Sequence, residues 1–176
     1  MGGNHLPIRP VATLLEQHPD HPQLARAHAQ SVRLAAGGAL DGDVLAAWER
    51  YAELVPADAE PRRVLARHYL ASDSPQLAIP HLAWLDRREM TTPAYASELA
   101  RQHAAIGELA RAAHYAERAT RIAPFDAATR ELAATVAIQT EDYDTAERHL
   151  RALIAFEPDR DLHQRRLAAL SRLRER

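Results

Sequence analysis

The fold is decided by one segment of 34 residues, 93–126, which reads PAYASELARQHAAIGELARAAHYAERATRIAPFD. Its second half repeats apolar residues at the i, i+4, i+7 spacing that lines one face of a helix. Gly107 lies between the two halves, where a short turn often needs positive φ, and Pro124 follows the second. The segment therefore predicts two amphipathic helices that are joined by a tight turn and ended by a proline.

The same pattern recurs every 34 residues and defines four units, 25–58, 59–92, 93–126 and 127–160. Each unit has positions 1 to 34, so that position 1 is residue 25, 59, 93 or 127. Positions 7 and 8 are apolar except Ser31, and positions 20, 24 and 27 form an apolar stripe in every unit. The stripe residues are Val44, Trp48, Tyr51; Ala78, Leu82, Leu85; Ala112, Ala116, Ala119; and Ala146, Leu150, Leu153. Small residues at positions 8 and 20 let the two helices approach closely. The repeat predicts an all-α chain of antiparallel helix pairs.

The flanking segments are predicted from weaker signals. Residues 1–9 are expected to be a flexible N-terminus, and residues 10–24 a short helix and a turn. Residues 161–176 match only a first helix, and their polar outer side suits a cap on a repeat stack. Pro80 lies five residues after Pro75 in a predicted helix, so a kink or a late helix start is expected there.

Composition excludes several classes of protein. The chain has 176 residues, a formal net charge of −2, 47% hydrophobic residues and 5% aromatic ones. It contains 0 cysteines, which rules out disulfides and thiolate metal sites. The slight negative charge and the scattered tyrosines disfavour a nucleic-acid partner. No apolar run is long enough to span a membrane and no signal peptide is recognisable, so no membrane insertion is expected. The compartment stays open, and the chain as given favours the cytoplasm.

Motifs for catalysis or cofactor binding are not recognisable in the sequence. There is no phosphate-binding glycine loop, no HExxH and no GxSxG, so no enzymatic activity, cofactor or metal is predicted. His18 and His21 flank Asp20 in a metal-like group, but Pro19 and Pro22 favour a turn there. His103, at position 11, is expected to be a partly buried ring with a hydrogen bond.

The repeat resembles the tetratricopeptide repeat (TPR) family. The family has Leu and Gly or Ala at positions 7 and 8, Ala at 20 and 27, and Pro at 32. The third unit carries these as Leu99, Ala100, Ala112, Ala119 and Pro124. The likeness extends over about residues 21–176, and it is weakest in the first unit. It implies a right-handed α-solenoid that acts as a protein–protein interaction module.

In this family the concave surface is formed by positions 2, 5, 9, 12 and 13 of the first helices. Position 9 is Arg33, Arg67 and Arg101, position 5 adds Arg63, and position 2 adds Arg26. The resemblance thus implies an Arg-lined groove for a protein or peptide, and the arginines favour an acidic one. The alternative is a solvated Arg-rich face whose guanidiniums pair with Glu60 and Glu98.

Two rival functions remain open on the sequence. The chain could be the repeat region of a larger enzyme or assembly factor and serve to position or dimerise it. An enzyme is disfavoured because no catalytic constellation is recognisable. The carboxylate clamp of chaperone-binding family members requires Lys, Asn and Arg at five positions where this chain has other residues, which disfavours that specific function. Those residues are Ala29, Arg33, Val64, Ala94 and Glu98. The partner and the oligomeric state stay undetermined.

Overall fold

The computed structural model describes residues 8–37 and 42–175, with side chains from residue 10, and every regular element within them is a helix. The ten helices of this described part are α1 Ile8–Gln17, α2 Pro22–Ala35, α3 Gly42–Leu54, α4 Ala59–Ala71, α5 Pro75–Arg88, α6 Ala94–Ala105, α7 Leu109–Ile122, α8 Ala127–Gln139, α9 Tyr143–Phe156 and α10 Asp161–Arg174. The all-α prediction is confirmed for these residues. Residues 1–7, within the predicted flexible N-terminus, lie outside them.

The chain divides into two compact units, an N-terminal unit of Met1–Ser74 and a C-terminal unit of Pro75–Arg176. The boundary falls between the two helices of the predicted repeat 59–92. Within each unit every helix contacts the next one along the chain, and in the C-terminal unit α6 also contacts α8. Two contacting helices that are joined by a turn of three residues, such as α6 and α7, must run antiparallel.

The apolar stripe predicted from the repeat is the core of both units. All twelve residues at positions 20, 24 and 27 are buried, from Val44 in α3 to Leu153 in α9. In the N-terminal unit the stripe contains rings, and Trp48 lies 6.1 Å from Tyr51 between ring centroids. In the C-terminal unit it contains leucines and alanines, and the alanines let the helices approach closely.

Turns and caps set the helix boundaries. Gly107 has φ 78°, as its place between two helices predicts, and Asp73 and Glu141 adopt positive φ at the same repeat position. The backbone N–H of Thr129 donates to the carboxylate of Asp126 at 2.7 Å, which caps the start of α8. Asp142 caps α9 in the same way, through the N–H of Thr145 at 3.1 Å.

The first repeat departs from the 34-residue register. Six residues, 36–41, separate α2 from α3, whereas three residues, 106–108 and 140–142, separate the helices of the last two repeats. Helix α2 accordingly begins at Pro22, three residues before the predicted start at residue 25. Its buried residues Ala25 and Ala29 then match Ala96 and Ala100 of α6. The longer connection shifts every position of α2 by three residues.

Two further helix boundaries differ from the sequence predictions. Helix α1 begins at Ile8 instead of Pro10, and it buries Val11. Helix α5 begins at Pro75 and continues through Pro80, so the late start is wrong. Pro80 removes a single hydrogen bond near the helix start, while the buried Ala78, Leu82 and Leu85 hold the helix against its neighbour.

Candidate functional site

Two polar stripes lie beside each other in the N-terminal unit. Arg26, Gln30 and Arg33 follow one face of α2, and Glu60, Arg63 and Arg67 follow one face of α4. Glu60 joins the stripes, because its carboxylate accepts from Arg26 at 2.8 Å and from the Gln30 amide at 3.4 Å. We call these six residues the arginine surface.

The shift of α2 changes the arginine row predicted from the 34-residue spacing. Gln30, and not Arg33, takes the repeat position of Arg67 and Arg101, while Arg26 takes that of Arg63. Arg33 lies three residues further along the same face of α2. The four arginines of the arginine surface therefore still belong to α2 and α4, but not in a row of equal spacing.

The electrostatics of the arginine surface are positive. Glu60 lies within it, and Asp58 lies at the start of α4. Hydrogen bonds from the Tyr51 hydroxyl and the Glu60 N–H lower the pKa of Asp58, and the nearby Arg26 and Arg63 lower it further. No carboxylate of the described residues pairs with Arg33 or Arg67. The four guanidiniums of the arginine surface thus outnumber the two carboxylates of Asp58 and Glu60.

Arg101 belongs to the C-terminal unit, on α6. Its guanidinium donates to Glu98 at 3.0 Å, three residues earlier in the helix, and half of the side chain is exposed. This exposed local pair is the arrangement expected of a solvated arginine. Within the described residues Arg101 has a carboxylate neighbour that Arg33 and Arg67 lack.

The buried histidines of the C-terminal unit have structural roles. His103 is 2% exposed, its Nδ1 lies 2.8 Å from Glu108, and its ring stacks on Tyr115. The predicted hydrogen-bonded ring is confirmed, and it is buried fully where partial burial was expected. His149 is bonded in the same way to Glu117, at 2.7 Å. Each carboxylate satisfies a ring nitrogen that would otherwise be buried without a partner.

One group of side chains in the described part of the chain has metal-ligand spacing, and the sequence did not predict it. Glu131, Glu157 and His163 bring one ligand atom each within 4.8 Å of the others. Arg160 pairs with both carboxylates, at 3.0 Å from Glu131 and 3.1 Å from Glu157. Hydrogen bonds from His163 and then Arg160 lower the pKa of Glu157. The group is an ion-pair network that attaches α10 to α8 and α9.

The group around Asp20 is a turn. The His21 N–H donates to the His18 carbonyl at 3.1 Å, and Asp20 pairs with Arg50 at 2.9 Å. His18 and His21 are exposed and do not belong to the group with metal-ligand spacing in the described residues. The turn predicted from Pro19 and Pro22 is confirmed.

A cleft of about 140 Å³ opens in the C-terminal unit between α7, α8 and α9. Four alanines line it, together with Glu117, Thr140, Asp142, Thr145 and Arg148. Sequence reasoning missed this cleft, although the signal was present. Ala116, Ala133 and Ala137 stand at repeat positions where other units have much larger residues.

Comparisons with known proteins agree with this architecture. No family model matches the chain, and no curated protein matches its sequence. Solved structures do match. MamA, known from a crystal structure, shares 17% sequence identity with this chain. The TM-score is 0.62, and the match covers 86% of this chain and 81% of that chain. YrrB, described as a TPR protein with an unusual peptide-binding site, is 16% identical, with TM-score 0.63 over 88% of this chain and 78% of that chain.

A third structure adds a bound peptide. The first TPR of Spaghetti (RPAP3), bound to the HSP90 peptide SRMEEVD, is 13% identical, with TM-score 0.57 over 68% of this chain and 100% of that chain. In the described residues no helix is both long and apolar enough to cross a membrane. At these identities the likeness concerns the fold, and it agrees with the buried stripe at positions 20, 24 and 27. The chain has the tetratricopeptide-repeat fold.

Proposed function

We propose that the protein is a non-enzymatic interaction module that binds an acidic segment of a partner protein on the arginine surface. The observation that carries the proposal is the bridge from Glu60 to Arg26 and Gln30, which sets the arginines of α2 beside those of α4. Arg33 and Arg67, which have no carboxylate partner in the described residues, are the cations available to a ligand.

The chemistry of these side chains favours carboxylates. A guanidinium offers five N–H donors in a planar fork that matches a carboxylate in two parallel hydrogen bonds. Packed helices lie about 8–10 Å apart, and we use this distance for α2 and α4, which the Arg26–Glu60 bond joins. It corresponds to about three residues of an extended peptide. A ligand with Asp or Glu at every third residue therefore fits α2 and α4.

Two of the structures with the same fold concern peptide binding. YrrB is described by its peptide-binding site, and the TPR of Spaghetti was solved with a peptide that contains two adjacent glutamates. These are properties of those proteins, and they make a peptide the first ligand to test here.

The test uses a fluorescein-labelled peptide of Gly and Ser with Glu at every third residue, and a matched peptide with Gln in place of Glu. We expect fluorescence anisotropy to show binding of the Glu peptide that weakens as salt is raised, because exposed charges are screened over about 8–10 Å at physiological ionic strength. The double variant Arg33→Gln, Arg67→Gln should lose at least about tenfold in affinity, as loss of two charge-assisted contacts predicts.

Two control variants separate this surface from general positive charge. Arg101→Gln and Arg165→Gln remove exposed arginines of the C-terminal unit, each of which pairs with a carboxylate of its own helix. Both should bind the Glu peptide as tightly as the parent chain. Equal affinity for the Glu and Gln peptides, or equal losses in all variants, would show that the arginine surface is only a solvated face.

A further inference from the structure

The cleft between α7, α8 and α9 exists because three alanines occupy positions that other repeats fill. Position 24 is Trp48, Leu82 or Leu150 elsewhere, but Ala116 in α7. Position 7 is Leu65 or Leu99 in the two preceding units, but Ala133 in α8. Both alanines line the same cleft, so the small residues at these two repeat positions lie side by side in the structure.

Position 11 completes the floor. It is Tyr69 in the second unit and His103 in the third, but Ala137 in α8. Ala116, Ala133 and Ala137 are all buried, at 1%, 3% and 4% exposure, and Ala113 lies half-buried above them. The innermost residues of the cleft lining are therefore alanines, and Thr140 and Thr145 line it beside them. An apolar cavity of about 150 Å³ can hold a benzene ring, so the cleft of about 140 Å³ has room for one aliphatic or aromatic side chain.

The rim is polar and acidic. Asp142 and Arg148 are exposed, and Glu117 is half-buried. A hydrogen bond from the Thr145 N–H is the first cause of the lowered pKa of Asp142, which keeps this carboxylate ionised. Glu141, next to it in the chain, is also exposed.

The cation of the rim is loosely held. Arg148 makes two long contacts of 3.4 Å, to Glu117 and to the Thr145 hydroxyl, and 64% of its side chain is exposed. Glu117 keeps its stronger bond to His149 at 2.7 Å whether or not Arg148 stays in place. Arg148 can thus move aside without breaking a short hydrogen bond, and the rim then carries acidic groups alone.

We propose that this cleft is a second docking site, which takes one large apolar side chain from a partner segment that carries Lys or Arg beside it. The alanines of the lining fit the apolar side chain, and Asp142 at the rim, with the exposed Glu141 next to it in the chain, fits the adjacent cation. This site differs from the arginine surface in its helices, in its charge and in the side chain that it recognises. Its failure or success is therefore independent of the proposed function.

The first experiment uses a capped pentapeptide, Gly-Lys-Leu-Lys-Gly, and the chain with ¹³C-labelled alanine methyls. The side chain and its flanking charges together are expected to give an affinity of about millimolar order, which NMR titration can measure. We expect the methyl signals of Ala116, Ala133 and Ala137 to shift with the peptide, while that of Ala105, on the exposed side of α6, stays in place. A peptide with Ala in place of Leu should bind at least about tenfold more weakly.

Charge is tested with the peptide Gly-Glu-Leu-Glu-Gly. It should cause smaller shifts than the Lys peptide at low salt, and the difference should shrink as salt is added. Equal shifts with both peptides would overturn the assignment of a basic partner. Equal shifts with the Leu and Ala peptides, or no shift at millimolar concentrations, would overturn the docking site itself.

The second experiment fills the cleft. Ala116→Leu restores the residue type that position 24 has in α5 and α9, so it should fold and should abolish the shifts of Ala133 and Ala137. Ala105→Leu is the matched control and should bind as the parent chain does. If Ala116→Leu does not fold, Ala113→Leu blocks the mouth of the cleft without entering its floor, and it should abolish the same shifts. Unchanged binding in the folded variant would show that the cleft is only a packing void.

Discussion

The two units use the same repeat positions with different side chains. At position 24 the N-terminal unit has Trp48, which is 1% exposed, while the third repeat in the C-terminal unit has Ala116, also 1% exposed. The N-terminal unit adds Tyr51 and Tyr69, whose hydroxyls donate to Asp58 and Glu49. The C-terminal unit instead has alanine contacts and a buried ion pair in which the Arg118 Nε lies 2.8 Å from Asp86.

This difference shows that one backbone pattern can be stabilised in two ways. Large rings fill the space between helices in the N-terminal unit, and arginines lie on the exposed faces of its helices α2 and α4. Small side chains bring helices together in the C-terminal unit, and where three of them meet, a cleft remains. Close packing requires that the side chains of neighbouring helices together fill the space between them, so several alanines at one place leave space there.

The largest expected effect is the loss of the main ring of the N-terminal unit. Trp48→Ala should destabilise the chain by about 3–5 kcal/mol, because it removes a fully buried aromatic side chain and leaves a cavity. Hydrogen exchange read by mass spectrometry should show the loss of protection in α3 and its neighbours α2 and α4. A loss below about 1 kcal/mol in urea unfolding would show that the unit does not depend on its rings.

High pH should weaken the N-terminal unit through its tyrosines. Burial first, and then hydrogen bonds to Asp58 and Glu49, raise the pKa of Tyr51 and of Tyr69 to about 12. The unfolded chain loses these protons near pH 10, so the stabilisation is complete below pH 10 and is lost as the pH rises towards 12. At pH 11 the pair should cost about 2–3 kcal/mol relative to pH 9.

The check is urea unfolding at pH 9 and pH 11, with tyrosinate absorbance to follow the titration. The double variant Tyr51→Phe, Tyr69→Phe should be less stable at pH 9 but should lose much less between the two pH values. An equal loss in the variant and the parent would assign the pH dependence to other groups.

Two alanines one helical turn apart in α7 should respond in opposite directions. Ala112, at 0% exposure, lies where helices approach, so Ala112→Leu should destabilise by about 1–3 kcal/mol through overpacking. Ala116 faces the cleft, so Ala116→Leu should stabilise by about 0.5–2 kcal/mol. Thermal melts of the two variants are sufficient, and equal destabilisation would mean that the cleft has no room for a side chain.

The smallest effects belong to exposed positions of the C-terminal unit. Ala105→Leu and Arg101→Gln should change stability by no more than about 0.5 kcal/mol, since Ala105 is exposed and the Arg101–Glu98 pair is solvated. The same melts serve as the measurement. A larger loss for Arg101→Gln would show that this pair contributes to the fold.

The sequence predicts the buried stripe because its period coincides with the helical repeat, and every residue from Val44 to Leu153 at positions 20, 24 and 27 is buried as expected. It also predicts the turn glycine Gly107 and the cap Asp126, whose effects are local. These signals depend on residues that are close to one another in the sequence, within about two helical turns. They can be recognised without knowledge of the tertiary structure.

The register of α2 and the cleft depend on distant residues. The six-residue connection after α2 shifts Arg33 away from the repeat position of Arg67. A search with a fixed period of 34 residues cannot reveal three extra residues in the first repeat, because that repeat keeps few of the pattern's residues. The cleft needs Ala116 of α7 to lie beside Ala133 and Ala137 of α8. Each alanine alone is an ordinary helix former, so only the tertiary packing of three helices turns three small side chains into one open space.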